Sequence, residues 1–148
     1  MQSSYRKLAI SISINTMIMF FLTYVMIASA NHFVVNLNRI YMALIMAAPM
    51  VIVMLLVMRS MFMNKQLNTI LFVTFGLLTV LLFFLIRTQT PVGNEQFLRS
   101  MIPHHSGAIL MCEQSTITDP EIIELCEEIV QTQKEEIAQM EAILERLR

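Results

Sequence analysis

Three long apolar segments, separated by short polar stretches, fill the first 88 residues. Each comes close to the roughly 20 residues that a helix needs to cross a bilayer, and they are residues 8–30, 41–58 and 67–86. The stretches between them are short and polar enough to be loops, at residues 31–40 and 59–66. The pattern therefore predicts a transmembrane domain of three helices over residues 1–88.

The first apolar segment also has features of a secretory signal. Arg6 and Lys7 precede it, and Ala28-Ser29-Ala30 at its end resembles a cleavage site. Its apolar run is longer than the core of a typical signal, so we expect a span that stays in the protein.

Basic residues are distributed unevenly between the two ends of the predicted spans. One end carries Arg6, Lys7, Arg59 and Lys65. The other end carries Arg39 and Arg87. Because basic loops stay on the cytoplasmic side, we expect a cytoplasmic amino terminus in the cytoplasmic (inner) membrane. The part of the chain after residue 88 is then periplasmic or extracellular.

Methionine recurs every four residues along the second segment, at Met42, Met46, Met50, Met54 and Met58. This spacing keeps neighbouring side chains in contact on a helix, and a track of thioethers suits a soft metal. Methionine also fills gaps between helices. No polar partner accompanies the track, so packing is the favoured interpretation. Pro49 in the same segment predicts a kink.

The pattern becomes amphipathic after Pro91 and Gly93, which mark a break in the chain. Asn94 is predicted to cap a helix over residues 95–115, which Pro103 either kinks or restarts. Residues 116–119 form a turn. Asp119-Pro120-Glu121 then predicts the start of a second helix, which runs from Pro120 to about Leu147. Residues 94–148 are therefore predicted to form a helical hairpin.

This hairpin is strongly acidic. All eleven acidic residues of the chain lie from Glu95 onward, where four basic residues accompany them, a balance of −7. Such a surface repels the phosphates of nucleic acid, which we exclude as a partner. Solvated helix surface accounts for most of these charges, and the rest would attract cations.

Heptad spacing predicts one buried stripe on each helix of the hairpin. On the first helix it is Phe97, Met101, His104, Ala108, Met111 and Ser115, with His105 and Cys112 beside it. On the second it is Ile122, Cys126, Ile129, Gln133, Glu136, Met140, Ile143 and Leu147. Each stripe has a polar interruption, and folding about residue 118 makes the two interruptions face each other. Since buried polar groups need partners, we expect them to meet each other or a shared ligand.

Two helices bury too little surface to form a core by themselves. Two chains are therefore predicted to pair their hairpins into a four-helix bundle, as a homodimer or a higher even oligomer. Alternatively, the hairpin docks onto the outer ends of the spans. Nearby residues would then be Asn31, His32, Asn36 and Asn38, and His32 could be a further metal ligand.

The polar interruptions contain side chains that bind metals. Imidazole, thioether and thiolate groups together select copper(I), whereas carboxylates suit zinc, iron or manganese. The candidate ligands are Met101, His104, His105, Met111, Cys112, Glu113, Gln133, Glu136 and Met140. A di-iron site of the ferritin type needs a Glu-x-x-His pattern, which neither histidine shows. The alternative is that glutamates of the facing helix simply satisfy the two histidines.

Cys112 and Cys126 come almost opposite one another in the predicted hairpin. Facing helices bring Cα atoms within disulfide range. In an oxidising compartment we therefore expect either a disulfide or paired thiols. In the reduced state the two thiols are candidate copper ligands instead.

Two motifs resemble the paired signatures of the domain-of-unknown-function family 305: Met101-Ile102-Pro103-His104-His105 with Ala108-Ile109, and Gln133 with Glu136-Ile137 and Met140. The resemblance covers about residues 95–147. It implies a ferritin-like helical bundle and, as in some secreted or periplasmic bacterial members, copper or silver binding. The implied ligands are Met101, His104, His105, Met111, Gln133, Glu136 and Met140.

The resemblance also bears on assembly. Soluble members of that family often carry two hairpins in one chain, whereas this chain has one, which supports pairing of two chains. The three predicted spans resemble a membrane-anchored branch of the family.

Three functions are compatible with these features. The leading hypothesis is a non-catalytic, membrane-anchored protein of a bacterial envelope that holds copper(I) or silver for tolerance, buffering or hand-over. The second is a redox-metal enzyme, although the sequence offers no general base beyond Glu113 and Glu136. The third is a metal-independent dimerisation module whose histidines sense pH.

Overall fold

The computed structural model describes residues 2–147, which are all-α. Five α-helices are present in this part of the chain, with a short 3-10 helix at Ala30–His32. They are α1 (Gln2–Leu22), α2 (Leu37–Val57), α3 (Lys65–Thr88), α4 (Asn94–Gln114) and α5 (Pro120–Arg146). The chain divides into two compact units. We call them the three-helix unit, which is the chain up to Thr23 with Asn38–Pro91, and the hairpin unit, which is Tyr24–Leu37 with the chain from Val92.

The three-helix unit is held together by apolar contacts among α1, α2 and α3. Leu8 of α1, Val51 and Leu55 of α2 and Phe62 form a buried cluster, against which Leu71, Phe72 and Phe75 of α3 pack. Tyr5 of α1 donates a hydrogen bond to Asn68 Oδ1 of α3 at 2.8 Å. The amino-terminal part of α1 therefore lies beside the connection between α2 and α3.

Two of the described helices, α2 and α3, are long and apolar enough to cross a membrane. The prediction of three such spans is wrong for the first one. The helix α1 ends at Leu22, well before residue 30. Arg6, Lys7, Ser11, Ser13 and Asn15 also lie within it and lower its hydropathy. The residues that follow belong to the hairpin unit, where Tyr24 is buried.

The methionines of the predicted track divide into two groups, and the last of them, Met58, lies just after the end of α2. Met54 and Met58 pack against the cluster of the three-helix unit, as the packing interpretation predicts. Met42, Met46 and Met50 are exposed. A polar neighbour is present at one of them, because Asn15 Nδ2 donates to Met50 Sδ at 3.0 Å.

The helices α4 and α5 pack against each other around a second apolar cluster. Its buried members are Leu98, Ile102, Ile109, Ile137 and Met140. On α4 these residues, together with His105 and Cys112, recur in steps of four and three, which is the spacing of a helix buried along one stripe. The two helices therefore form the hairpin that the sequence predicts.

The buried stripe of α4 lies one residue later than predicted. Phe97, His104 and Met111 of the predicted stripe are exposed. Leu98, Ile102 and Ile109, which have the same spacing, are the residues that pack against Ile137 and Met140 of α5. On α5 the predicted stripe agrees better with the structure, since Met140 is buried and Ile143 packs on the cluster. Ile137, which was not predicted, is also buried, whereas Ile122 and Leu147 are exposed.

Capping fixes where the two hairpin helices begin. Asp119 caps α5 as predicted, and its Oδ1 accepts hydrogen bonds from the backbone N–H groups of Glu121 at 3.0 Å and Ile122 at 3.2 Å. The predicted cap of α4 at Asn94 is wrong. Gly93, in extended backbone, holds the capping position without a side-chain bond, and Asn94 is the first helical residue.

Residues 24–37 cover the side of α4 that faces away from α5. Tyr24 and Phe33 hold this segment together, with ring centroids 4.2 Å apart. The Tyr24 hydroxyl donates to the carbonyl of Val34 at 2.9 Å. The backbone N–H of Leu37 donates to Gln96 Oε1 of α4 at 2.9 Å. The hairpin thus gains a third layer from its own chain.

Pro103 lies inside α4, which continues through it without a restart. A proline has no N–H, so the carbonyl four residues earlier loses its helical hydrogen bond. That carbonyl belongs to Arg99, and Asn36 Nδ2 donates to it at 3.2 Å. Asn36 is buried, and it also accepts from the Ser100 hydroxyl at 3.3 Å. The segment at residues 24–37 therefore supplies the bond that the proline removes.

Candidate metal centre

His105 occupies the buried stripe of α4 and points at α5. Its Nδ1 atom is 3.1 Å from Glu136 Oε2, which is close enough for an ion pair. The two atoms are not aligned for a hydrogen bond, and this buried Nδ1 has no hydrogen-bond partner. Gln133 Nε2 donates to the same Glu136 oxygen at 3.2 Å. The predicted meeting of the two polar interruptions is therefore seen at His105, Gln133 and Glu136.

Burial determines the protonation of His105. Loss of solvent lowers its pKa below the usual 6.5, the Glu136 carboxylate acts in the opposite direction, and the neighbouring His104 lowers the pKa further. The imidazole is therefore neutral at pH 7. A neutral imidazole nitrogen is the form that binds a metal ion.

His104 has a different environment from His105. It lies on the solvent side of α4 and is exposed, and its ring centroid is 6.0 Å from that of His105. No residue of α5 is in an ion pair or hydrogen bond with it among those described. The structure therefore places the two predicted histidine ligands on different faces.

The three candidate methionines also have different surroundings. Met140 is buried in the hairpin cluster, one helical turn after Glu136, and Met101 packs against that cluster, one turn before His105. Met111 is exposed. Two thioethers therefore belong to the same interior as His105, and the third does not.

Cys112 is joined to Cys126 by a disulfide, with Cα atoms 5.4 Å apart. Of the two alternatives for this pair, the disulfide is the one found, and Cys112 has no thiolate to offer a metal in this form. Glu113 is engaged elsewhere, since its Oε1 is 2.9 Å from Lys134 Nζ. The disulfide lines an open cavity of about 400 Å³ at the turn end of the hairpin.

Few strong metal-ligating side chains lie close together in the described part of one chain. Among residues 2–147, no three His, Cys, Asp or Glu side chains converge to hold a metal ion. His105 and Glu136 form a pair, and Gln133, Met101 and Met140 are the remaining candidate donors nearby. The buried, unpartnered Nδ1 of His105 fits a metal ligand, but the set is incomplete for a closed site.

A buried serine beside His105 was not predicted from the sequence. Ser106 is fully buried, and its Oγ accepts a hydrogen bond from the backbone N–H of Ala28 at 2.7 Å. The same oxygen lies 2.7 Å from His32 Nδ1. His32, predicted as a further ligand, thus uses this nitrogen to fasten its segment to α4. No sequence signal marks this role, because serine is common on helix surfaces.

Comparison with known proteins identifies the family of this hairpin. The sequence model of "Domain of unknown function (DUF305)" matches residues 84–144. "Uncharacterized protein L153" of Acanthamoeba polyphaga mimivirus is 33% identical over 112 residues, which cover 74% of this chain and 72% of that protein. No solved structure matches the chain.

Proposed function

The chain belongs to the DUF305 family, and from the donors gathered at His105 we propose that it is a membrane-anchored protein that binds copper(I) or silver for tolerance, buffering or hand-over. The observation that carries this proposal is the Nδ1 atom of His105. It is buried, neutral at pH 7 and without a hydrogen-bond partner, and it lies 3.1 Å from a carboxylate oxygen. A buried imidazole nitrogen and a carboxylate oxygen at this distance form a donor pair that suits a metal ion.

The residues around His105 would each contribute in a different way. His105 would supply a nitrogen ligand and Glu136 an anionic oxygen. Gln133 orients the Glu136 carboxylate by its hydrogen bond, as groups behind a metal ligand commonly do. Met101 and Met140 would add thioethers, which favour a soft ion such as copper(I) or silver over zinc. Bound there, the ion would be stored or passed on.

The spans and the disulfide support the proposed location. The helices α2 and α3 are apolar enough to lie in a bilayer, and Arg59 and Lys65 at the connection between them favour a cytoplasmic position for that connection. The Cys112–Cys126 disulfide supports an oxidising compartment for the hairpin, because disulfides are rare in the cytosol. We therefore propose that the hairpin faces the periplasm or the exterior.

An anaerobic copper(I) titration of the full chain in detergent, against a competing chelator, tests this function. We expect His105→Ala and Glu136→Gln each to weaken binding at least about tenfold, as loss of a ligand or of its supporting group does. Glu113→Gln is the matched control, because its carboxylate pairs with Lys134 outside the site. Helix content by circular dichroism checks that each variant folds.

Two results would contradict the proposal. Unchanged copper affinity in His105→Ala would place the site elsewhere. Tighter binding of zinc than of copper(I) in a parallel titration would show that the thioethers do not determine the choice of metal.

A further inference from the structure

A second heptad stripe on α4 remains exposed to solvent. Phe97, His104 and Met111 are seven residues apart, and Phe97 and Met111 are 52% and 51% exposed. Met101 and Ala108, which lie between them, are partly exposed. By helical spacing, the charged residues of α4 lie outside this stripe: Glu95, Arg99 and Glu113. An uncharged stripe with large apolar side chains at both ends is typical of a contact surface.

The stripe has a two-fold pattern of its own. His104 is its midpoint, with an apolar residue seven positions away on each side. When two such helices run antiparallel about an axis through His104, Phe97 of each meets Met111 of the other. Aromatic and thioether side chains make favourable contacts of this kind. A surface that complements itself in this way suits a two-fold dimer, in which both copies use the same patch.

Charge disfavours the other helix as the contact between copies. The helix α5 carries eight acidic residues and only two basic ones over Pro120–Arg146. Two copies meeting through α5 would bring these carboxylates together, and like charges in a contact are costly. The uncharged stripe of α4 carries no such penalty.

We propose that a second copy of this chain binds this stripe, antiparallel to the first, with the two His104 side chains meeting on the two-fold axis. The stripe of Phe97, Met101, His104, Ala108 and Met111 is then buried in both copies. This pairing joins two hairpins through α4.

The pairing also creates a second metal site, an extension that rests on the proposed function. Within residues 2–147 of one chain, the strong donors that pair are His105 and Glu136, and His104 lies outside that pair. In the dimer, the two exposed His104 imidazoles come together, and two histidines are suitable ligands for copper(I). We therefore expect one shared ion at the axis in addition to one at His105 in each chain. Since that ion binds only the dimer, copper also stabilises the pairing.

Cross-linking of the full chain in detergent tests the pairing. One tagged copy carries Phe97→Cys and a differently tagged copy carries Met111→Cys, and a short bifunctional maleimide is added. We expect a cross-link that joins the two tags. The matched control is Leu125→Cys, which is 53% exposed on α5 and should not cross-link to Phe97→Cys. A cross-link between two Phe97→Cys copies, with none to Met111→Cys, would overturn the antiparallel arrangement.

Native mass measurement tests the same surface without added cysteines. The wild-type chain should have the mass of a dimer, and Phe97→Glu with Met111→Glu that of a monomer. Leu125→Glu, at a site of equal exposure, should remain dimeric. A monomeric wild-type chain would overturn the proposal. A dimeric double variant would also overturn it, because the stripe would then not be the contact between the two copies.

Copper stoichiometry separates this inference from the proposed function. We expect three copper(I) ions per wild-type dimer and two per His104→Ala dimer. A wild-type chain that is monomeric and still binds copper tightly would overturn the pairing while leaving the function at His105 intact. A cross-linked dimer that binds no copper would confirm the pairing and contradict the metal function.

Discussion

Adjacent histidines in this chain have opposite surroundings. His105 faces Glu136 across the hairpin, whereas His104 is exposed on the other side of the helix. Successive residues on a helix point about 100° apart, since a turn takes 3.6 residues. Two neighbouring histidines therefore do not both point at the centre of one helix–helix interface. One of them serves the interior of the hairpin, and the other is available to a partner.

The depressed pKa of His105 predicts a stability that falls with acidity. Below pH 6.5 the unfolded chain takes up a proton on His105. In the folded chain, burial disfavours this protonation, although the Glu136 carboxylate acts in the opposite direction. The free energy of unfolding should decrease as the pH falls below 6.5, because the unfolded chain then binds this proton more readily than the folded chain. In the His105→Gln variant, the free energy of unfolding should decrease less over the same pH range.

The measurement is thermal unfolding of the full chain in detergent with a metal chelator present. The groups facing His105 are Glu136 and Gln133 of α5 and His104 of its own helix. Glu113→Gln, which leaves all histidines in place, is the control and should retain the wild-type pH dependence. An identical pH dependence in His105→Gln would show that His105 does not take part.

At the scale of elements, α4 depends on a segment that is distant in sequence. Pro103 frees the carbonyl of Arg99, and Asn36 satisfies it from 63 residues away. Ser106 fastens the same segment through Ala28 and His32. A proline inside a helix is tolerated when another group takes up the freed backbone bond. The packing of residues 24–37 and the continuity of α4 are thus linked.

A double-mutant cycle between Asn36 and Pro103 tests this link. Asn36→Ala should destabilise the chain, because the Arg99 carbonyl loses its donor. With Pro103→Ala also present, the restored helix N–H can take that role, so Asn36→Ala should cost about 0.5–1.5 kcal/mol less. Urea unfolding in detergent measures each corner of the cycle. Strictly additive effects would show that Asn36 acts independently of the proline.

At the scale of the whole molecule, the charges along the chain predict its orientation. Two basic residues, Arg59 and Lys65, lie at the connection of α2 to α3, between the two helices that are apolar enough to cross a membrane. The acidic residues all follow α3. Retention of basic segments in the cytoplasm would leave the hairpin outside, where its disulfide can persist.

Labelling of single added cysteines in intact cells tests this orientation. A membrane-impermeant maleimide should label Gln139→Cys on the exposed surface of α5. It should label Ser60→Cys, which is exposed between α2 and α3, only after lysis. The reverse pattern would place the hairpin in the cytoplasm and contradict an oxidising environment for Cys112 and Cys126.

Local signals in the sequence were enough for the helical elements. The cap at Asp119, the proline at position 120 and the break at Pro91 and Gly93 act within a few residues, so the bounds of α4 and α5 follow from them. The opposition of Cys112 and Cys126 follows from the turn between the helices, because the hairpin fixes that register. The end of α1 at Leu22 did not follow, since residues 24–30 continue the apolar run but belong to the hairpin unit.

The sequence by itself determined an all-α chain, an acidic hairpin and the apolar character of α2 and α3, but it also predicted a third span that is not found. Only the tertiary structure decided which of two adjacent stripes on α4 is buried. Both repeat every seven residues and differ by one position, so periodicity alone cannot choose between them. The packing of Leu98, Ile102 and Ile109 against α5 makes that choice. It places His105 beside Glu136 and leaves His104 exposed, because rotating a helix by one residue moves every side chain to a different face.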